Sequence, residues 1–136
     1  MLAALCFAAV FALCLSSYIS LCYTSLKMST RNMMSSHAVE LAEAGLEQAL
    51  YAENNSDWTA WTVGGSNEQM TLTGFAFENG ATGQVLLTVN NYATRNPTFV
   101  SEAEVTLSDG TVMKRQLQTT GSFAPSFVNA VGGGLD

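Results

Sequence analysis

The sequence predicts an α+β fold in which one long N-terminal α-helix packs on a small four-stranded antiparallel β-sheet. Three observations predict it. The first 26 residues hold no charged side chain, no proline occurs before Pro97 and no glycine before Gly45, and four strand-like runs fill the second half. Proline and glycine are the residues that most readily break a helix, so nothing interrupts one before Gly45.

The chain divides into three segments. Residues 1–26 form an apolar helix of membrane-spanning character, residues 27–52 continue it with an amphipathic pattern, and residues 53–136 form a β-rich head with a mobile tail containing Gly132–Gly134. The apolar helix spans roughly 39 Å, more than the roughly 30 Å hydrocarbon core of a bilayer. A signal peptide is the competing interpretation, but the run is too long and lacks a basic start and a cleavage site.

The amphipathic segment has two distinct faces. Its apolar residues recur at three- and four-residue steps and are expected to pack on the sheet: Val39, Ala42, Leu46, Ala49 and Leu50. A second face carries three acids: Glu40, Glu43 and Glu47. This acidic face points either to water, the commoner arrangement, or to a neighbouring subunit. Gly45 costs the helix about 1 kcal/mol relative to alanine, which indicates that another element approaches closely there.

The head begins with a helix end and an aromatic pair. Asn54-Asn55-Ser56-Asp57 ends the helix, and Trp58 and Trp61 are expected to fill the junction between helix and sheet, because large aromatic side chains bury well at such corners. The strand-like runs then follow, separated by turn-rich sequences: Gln69 to Phe77, Gln84 to Asn90, Thr98 to Leu107, and Thr111 to Thr120.

The last two runs are joined through Ser108-Asp109-Gly110, and the pattern selects the register of this hairpin. A two-residue Asp-Gly turn would place Val105 opposite Lys114 and mix apolar with charged faces. A three-residue loop with its glycine in the left-handed conformation places Val105 opposite Met113 and Glu104 opposite Lys114 on the other face. We therefore predict the three-residue loop.

No residue pattern indicates an enzyme, a metal site or a cofactor site. His37 is the sole histidine, and the three cysteines, Cys6, Cys14 and Cys22, all lie in the apolar segment, where they serve as small apolar fillers or as interchain crosslinks. The net charge is −6 and the pI is about 4.5. Without a basic patch, nucleic acid is not an expected partner.

The N-terminal half resembles a known family. An uncharged segment that runs into Ala38 to Leu50, an alanine- and glutamate-rich helix end, with a small antiparallel sheet after it, resembles type IV pilins and pseudopilins, especially the PilX-type branch. The resemblance covers about the first 52 residues. It implies a bacterial structural protein that forms a helical homo-oligomeric filament on the cell surface, with a precursor pool in the inner membrane.

The same resemblance implies how the chain is processed and assembled. The nearest cations, Lys27 and Arg31, follow the apolar span, and the positive-inside rule taken literally would then place the polar domain in the cytoplasm. A basic leader removed by a prepilin peptidase explains this, with Met1 as the processed and often N-methylated terminus. The pilus assembly machinery is a further implied partner. The residues expected to pack in the filament core are Leu2, Leu5, Phe7, Val10, Phe11, Leu13, Leu15, Ile19, Leu21 and Leu26.

One position departs from the common pilin pattern. Most major pilins carry glutamate at the fifth mature position, and this chain has Leu5. The alternatives are therefore a minor pilin, or a single-pass membrane-anchored interaction protein that does not polymerise. An enzyme or ligand-binding domain on a signal anchor is a third hypothesis, and a ligand bound near Trp58 and Trp61 would favour it.

Overall fold

The computed structural model describes residues 1–92 and 94–122 of the chain. In these ranges it has one long helix, α1, and a sheet of five strands: α1 (Leu2–Asn55), β1 (Thr62–Gly64), β2 (Asn67–Ala76), β3 (Thr82–Asn90), β4 (Thr98–Thr106) and β5 (Val112–Thr120). The strands pair antiparallel in chain order, as a meander. The predicted glycine-rich tail, Gly132–Gly134, lies outside the described residues.

The α+β class and the long helix on an antiparallel sheet are confirmed, but the prediction of four strands is wrong. The missing strand is β1, which pairs with β2 across a turn at Gly65 and Ser66. Its three residues are all exposed, so no alternation of apolar and polar side chains marks it in the sequence. The strand is defined by backbone hydrogen bonding to β2, which does not require alternating apolar and polar side chains.

Helix α1 is unbroken over 54 residues. The serines and threonines of its apolar half do not interrupt it: the Ser17 and Thr24 hydroxyls each donate to the carbonyl four residues earlier, at 2.9 Å. The helix ends where the polar run predicted, at Asn55. Ser56 then adopts a left-handed conformation, and its backbone N–H closes the last turn on carbonyls of the helix.

The second half of α1 packs on one face of the sheet by matching small side chains to large ones. The helix contributes mainly small buried residues: Ala38, Ala42, Gly45, Ala49 and Ala52. The two central strands contribute alternate, fully buried side chains, among them Val85, Leu87, Val89, Phe99 and Val105. Small residues on the helix let its backbone approach the sheet closely, and this interface is the core of the head.

The register of the β4–β5 hairpin is the one that the sequence predicted. Val105 lies opposite Met113 and Glu104 lies opposite Lys114. The Lys114 Nζ and Glu104 Oε2 atoms are 2.6 Å apart on the face away from the helix. Gly110 has a φ of 81° and closes the three-residue loop with a hydrogen bond from its N–H to the Leu107 carbonyl.

Helix and sheet approach each other closely at Gly45, as the sequence predicted. A Cβ atom there would stand 2.5 Å from Ser101 Oγ and 2.7 Å from both Leu87 Cδ2 and Val85 Cγ1. These atoms belong to fully buried side chains of β3 and β4. Alanine therefore fits only if these side chains or the helix shift.

We expect Gly45→Ala to destabilise the head by about 1–3 kcal/mol, the usual cost of overpacking a well-filled core. The expected sign is opposite to helix propensity, which favours alanine over glycine by about 1 kcal/mol. Urea unfolding in detergent micelles, followed by the fluorescence of Trp58 and Trp61, measures the change. The matched control is Ala44→Gly at the exposed neighbouring position, which isolates propensity. A stabilised Gly45→Ala variant would contradict the close approach.

Candidate functional site

The apolar half of α1 is uncovered in the described part of the chain. Its large side chains are exposed to between 47% (Leu15) and 79% (Phe7) in the single chain. The structure describes the side chains of nine of the residues expected in a filament core, and all nine are exposed: Leu5, Phe7, Val10, Phe11, Leu13, Leu15, Ile19, Leu21 and Leu26. The side chain of Leu2 lies outside the described part, and Met1 is exposed.

This half of the helix needs a cover that residues 1–92 and 94–122 do not supply. Soluble monomers rarely expose contiguous apolar patches larger than a few hundred Å². By length and composition, the helix that contains Ala3–Asn55 is apolar enough to cross a membrane, and none of its most apolar window is buried against the described sheet. Lipid chains or other apolar helices are the two covers that such a surface accepts.

A pair of cations marks the boundary between the apolar half and the half that packs on the sheet. Lys27 and Arg31 stand one turn apart and line a cleft of about 270 Å³ between the helix and the β4–β5 loop. Asp109 of that loop also lines it. Hydrogen bonds from the Thr111 hydroxyl and backbone N–H lower the pKa of Asp109, and the fields of the two cations lower it further.

The residues expected to join helix and sheet differ in their burial. Ala42 and Ala49 are buried in the core, Leu46 and Leu50 are partly buried against it, and Val39 is half-buried. Sequence reasoning missed further buried positions of the same helix: Met34, Ala38, Leu41 and Ala52. The steps from residue 34 through 38, 41, 45, 49 and 52 follow the helical period, so a stripe centred on Gly45 and extended in both directions would have included them.

The single histidine of the chain lies between an aromatic ring and a carboxylate. His37 stacks on Phe77 with ring centroids 4.9 Å apart, and its Nδ1 lies 3.1 Å from Glu40 Oε2. In residues 1–92 and 94–122, no group of three or more His, Cys, Asp or Glu side chains is placed to hold a metal ion. The three cysteines are exposed along the apolar half.

An aromatic cluster closes the junction between helix and sheet, as predicted for the two tryptophans. Trp58 and Trp61 meet edge to face, with ring centroids 5.2 Å apart, and Tyr92 adds a third ring 5.5 Å from Trp58. Trp61 is buried and Trp58 is partly buried against the same core. This arrangement is that of packing side chains, in which each ring contacts another.

Glu68 on β2 is the one buried acid of the described chain. Its side chain is 1% exposed, and its Oε2 atom has no hydrogen-bond partner among the described residues. It faces the same side of the sheet as Val89, its neighbour on β3. A buried carboxyl oxygen without a donor costs folding free energy, because it gives up hydration and gains nothing in exchange.

We therefore expect Glu68→Met to stabilise the head by about 1–3 kcal/mol, since methionine keeps the volume and removes the buried polar atoms. Urea unfolding of the micellar protein tests this. Glu78→Met, at an exposed turn position, serves as the control and should change stability little. A loss of stability in Glu68→Met would mean that the carboxyl makes a stabilising hydrogen bond.

Comparison with known proteins gives no indication of function, so a functional assignment depends on the physical features described above. No protein-family model, curated protein or solved structure matches the chain.

Proposed function

We propose that this protein is a structural subunit of an extracellular filament of the type IV pilus kind, which polymerises through the N-terminal half of α1. The observation that carries the proposal is the division of this single helix. Its second half is covered by the chain's own sheet, and its first half presents exposed apolar side chains along its whole length. The resemblance of residues 1–52 to pilins supports the same assignment.

The exposed half fits two successive environments. Before assembly, an uncharged helix of about 39 Å is accommodated in the inner membrane. During assembly it passes to a bundle of identical helices, where apolar side chains of neighbouring copies replace the lipid chains. The transfer exposes little apolar surface to water, so the hydrophobic effect does not oppose it.

The absence of a kink suits a filament subunit. A continuous helix holds the head at a fixed distance and orientation from the apolar half, so identical subunits present identical heads. Lys27 and Arg31 stop the apolar half from sinking deeper, because each charged head group is costly to move into hydrocarbon. The acidic head remains in water, outside the membrane or on the filament surface.

The decisive experiment is electron microscopy of purified surface filaments, with side-chain density fitted to this sequence. The proposal expects a core of parallel α1 helices and a shell of heads. A protein that extracts as a monomer in detergent micelles, and that is never found in sheared surface fibres, would instead favour a membrane-anchored protein that does not polymerise.

Leu5→Glu tests the apolar core directly. An unpaired carboxylate buried among apolar helices costs about 3 kcal/mol or more, which corresponds to about a hundredfold loss of subunit affinity. We expect few or no filaments, measured by the amount of the protein in sheared fibres. Leu5→Met is the volume-matched control and should assemble normally. The membrane fraction must contain both variants in equal amounts.

Normal or improved assembly of Leu5→Glu would contradict an apolar surrounding at this position. It would show that a cation, such as the terminal amine of a neighbouring copy, lies beside the residue and neutralises the carboxylate.

A further inference from the structure

A cleft with an excess of positive charge lies where helix α1 leaves its apolar half. The helix contributes Tyr23, Lys27 and Arg31, which follow one another at four-residue steps and so lie on one side of it. The β4–β5 loop contributes Leu107 and Asp109. The volume of the cleft is about 270 Å³, close to the lower end of small-molecule sites, which measure about 300–1,000 Å³. It therefore accepts one small polar group.

In the membrane-inserted chain, this cleft lies at the level of the lipid headgroups. Residues 1–26 carry no charge, so Lys27 is the first residue along the helix that hydrocarbon excludes. Tyr23 precedes it by one turn, about 6 Å deeper, and tyrosine is enriched where the membrane meets water. Because Asp109 lines the same cleft, the β4–β5 loop reaches this level as well.

The charges of the cleft are not balanced within the described chain. In residues 1–92 and 94–122, neither Lys27 nor Arg31 takes part in an ion pair. Asp109 is the one acid that lines the cleft, and its carboxylate accepts a hydrogen bond from the Thr111 N–H at 2.8 Å. Two cations and one carboxylate leave an excess of one positive charge.

We propose that this cleft binds the phosphodiester of one anionic phospholipid, phosphatidylglycerol, between Lys27 and Arg31. A guanidinium presents paired N–H donors that match two phosphate oxygens, and an ammonium adds a compact charge that neutralises the same group. The inference rests on the membrane-inserted state of the proposed function and does not depend on polymerisation.

Charge balance favours an anionic lipid over a zwitterionic one. Phosphatidylglycerol carries one negative charge, which cancels the excess positive charge of the cleft. Phosphatidylethanolamine has the same phosphate but adds an ammonium group, so the excess is not cancelled. Electrostatic complementarity therefore gives the site its preference between the two headgroups.

The surface beside the cleft accommodates the rest of the lipid. Tyr23 and Leu26 line the cleft and are 67% and 68% exposed, and the apolar half of α1 continues from them. A lipid that is held by its phosphate can run its acyl chains along this surface, whereas a free phosphate ion covers none of it. This continuity commits the cleft to a lipid headgroup.

Native mass spectrometry of the full chain, released from detergent micelles after lipid is added, tests the site. Phosphatidylglycerol and phosphatidylethanolamine with identical acyl chains are the two probes. The expected result is one retained phosphatidylglycerol per chain, bound at least about fivefold more tightly than phosphatidylethanolamine, because one unit of charge is balanced. Equal affinity for the two lipids would overturn the proposal.

Removal of the two cations locates the binding. Lys27→Gln with Arg31→Gln should lower the affinity for phosphatidylglycerol at least about tenfold and abolish the preference over phosphatidylethanolamine. The matched control is Arg95→Gln with Lys114→Gln, which changes the net charge equally at exposed positions outside the cleft. This control should bind like the wild type. A similar loss in both double variants would mean a general attraction of charge, not a site.

Asp109→Asn tests the cleft from the side of the loop. The amide oxygen can still accept the hydrogen bond from the Thr111 N–H, but the negative charge is gone, so the affinity for phosphatidylglycerol should rise about threefold. Glu102→Gln, at an exposed position of β4, makes the same change of charge elsewhere and should have no effect. An unchanged affinity in Asp109→Asn would place the lipid outside this cleft.

Glycerophosphoglycerol, the same headgroup without acyl chains, distinguishes a lipid from a free phosphodiester. It should bind at least about a hundredfold more weakly than phosphatidylglycerol, because it buries no methylene groups. Equal binding would show a site for a soluble phosphodiester and would overturn the lipid assignment. Since the sample is the micellar chain, failure of this test leaves the filament proposal standing, and a chain that forms no filaments leaves a measured lipid preference standing.

Discussion

The fold depends on the contact between Gly45 of α1 and the centre of the sheet. At Gly45, the backbone of α1 lies against Ser101, Leu87 and Val85, and the small residues on either side extend this approach along the interface. The described head has a single five-stranded sheet, which needs a second layer to bury its apolar face. It obtains its core by using the second half of the helix as one of its two layers.

This arrangement gives one continuous helix two unrelated surroundings. After Lys27, its buried stripe packs against Val85, Leu87 and Phe99 of the sheet, whereas before Lys27 its large apolar side chains stay exposed in the described chain. The change of surroundings occurs without a break in the backbone, so composition alone separates the two halves. In its second half, α1 is narrow because its buried residues are small. In its apolar half, Phe7, Phe11 and their neighbours give a broad apolar surface.

Sequence reasoning could predict what depends on local or periodic signals. The helix followed from the lack of proline before Pro97 and of glycine before Gly45, and the β4–β5 register followed from separating Val105 from Lys114 across the sheet. It could not predict β1, whose exposed residues are ordered by pairing with β2, nor the burial of Glu68, a residue type that is normally exposed. The close approach at Gly45 could be predicted because a glycine inside a helix costs helix stability. Its contacts on β3 and β4 could not be predicted, because they depend on how the sheet is placed against the helix.

The unbroken path from the apolar half into the head has a geometric consequence. No hinge separates the two parts, since α1 runs continuously from Leu2 to Asn55 and the sheet packs on its second half. The direction in which the head faces is therefore a matter of helical phase: one residue inserted between Lys27 and Met34 would swing the whole head by about 100° and raise it by about 1.5 Å. The number of residues between Lys27 and Met34 therefore fixes the direction in which the head points around the helix axis.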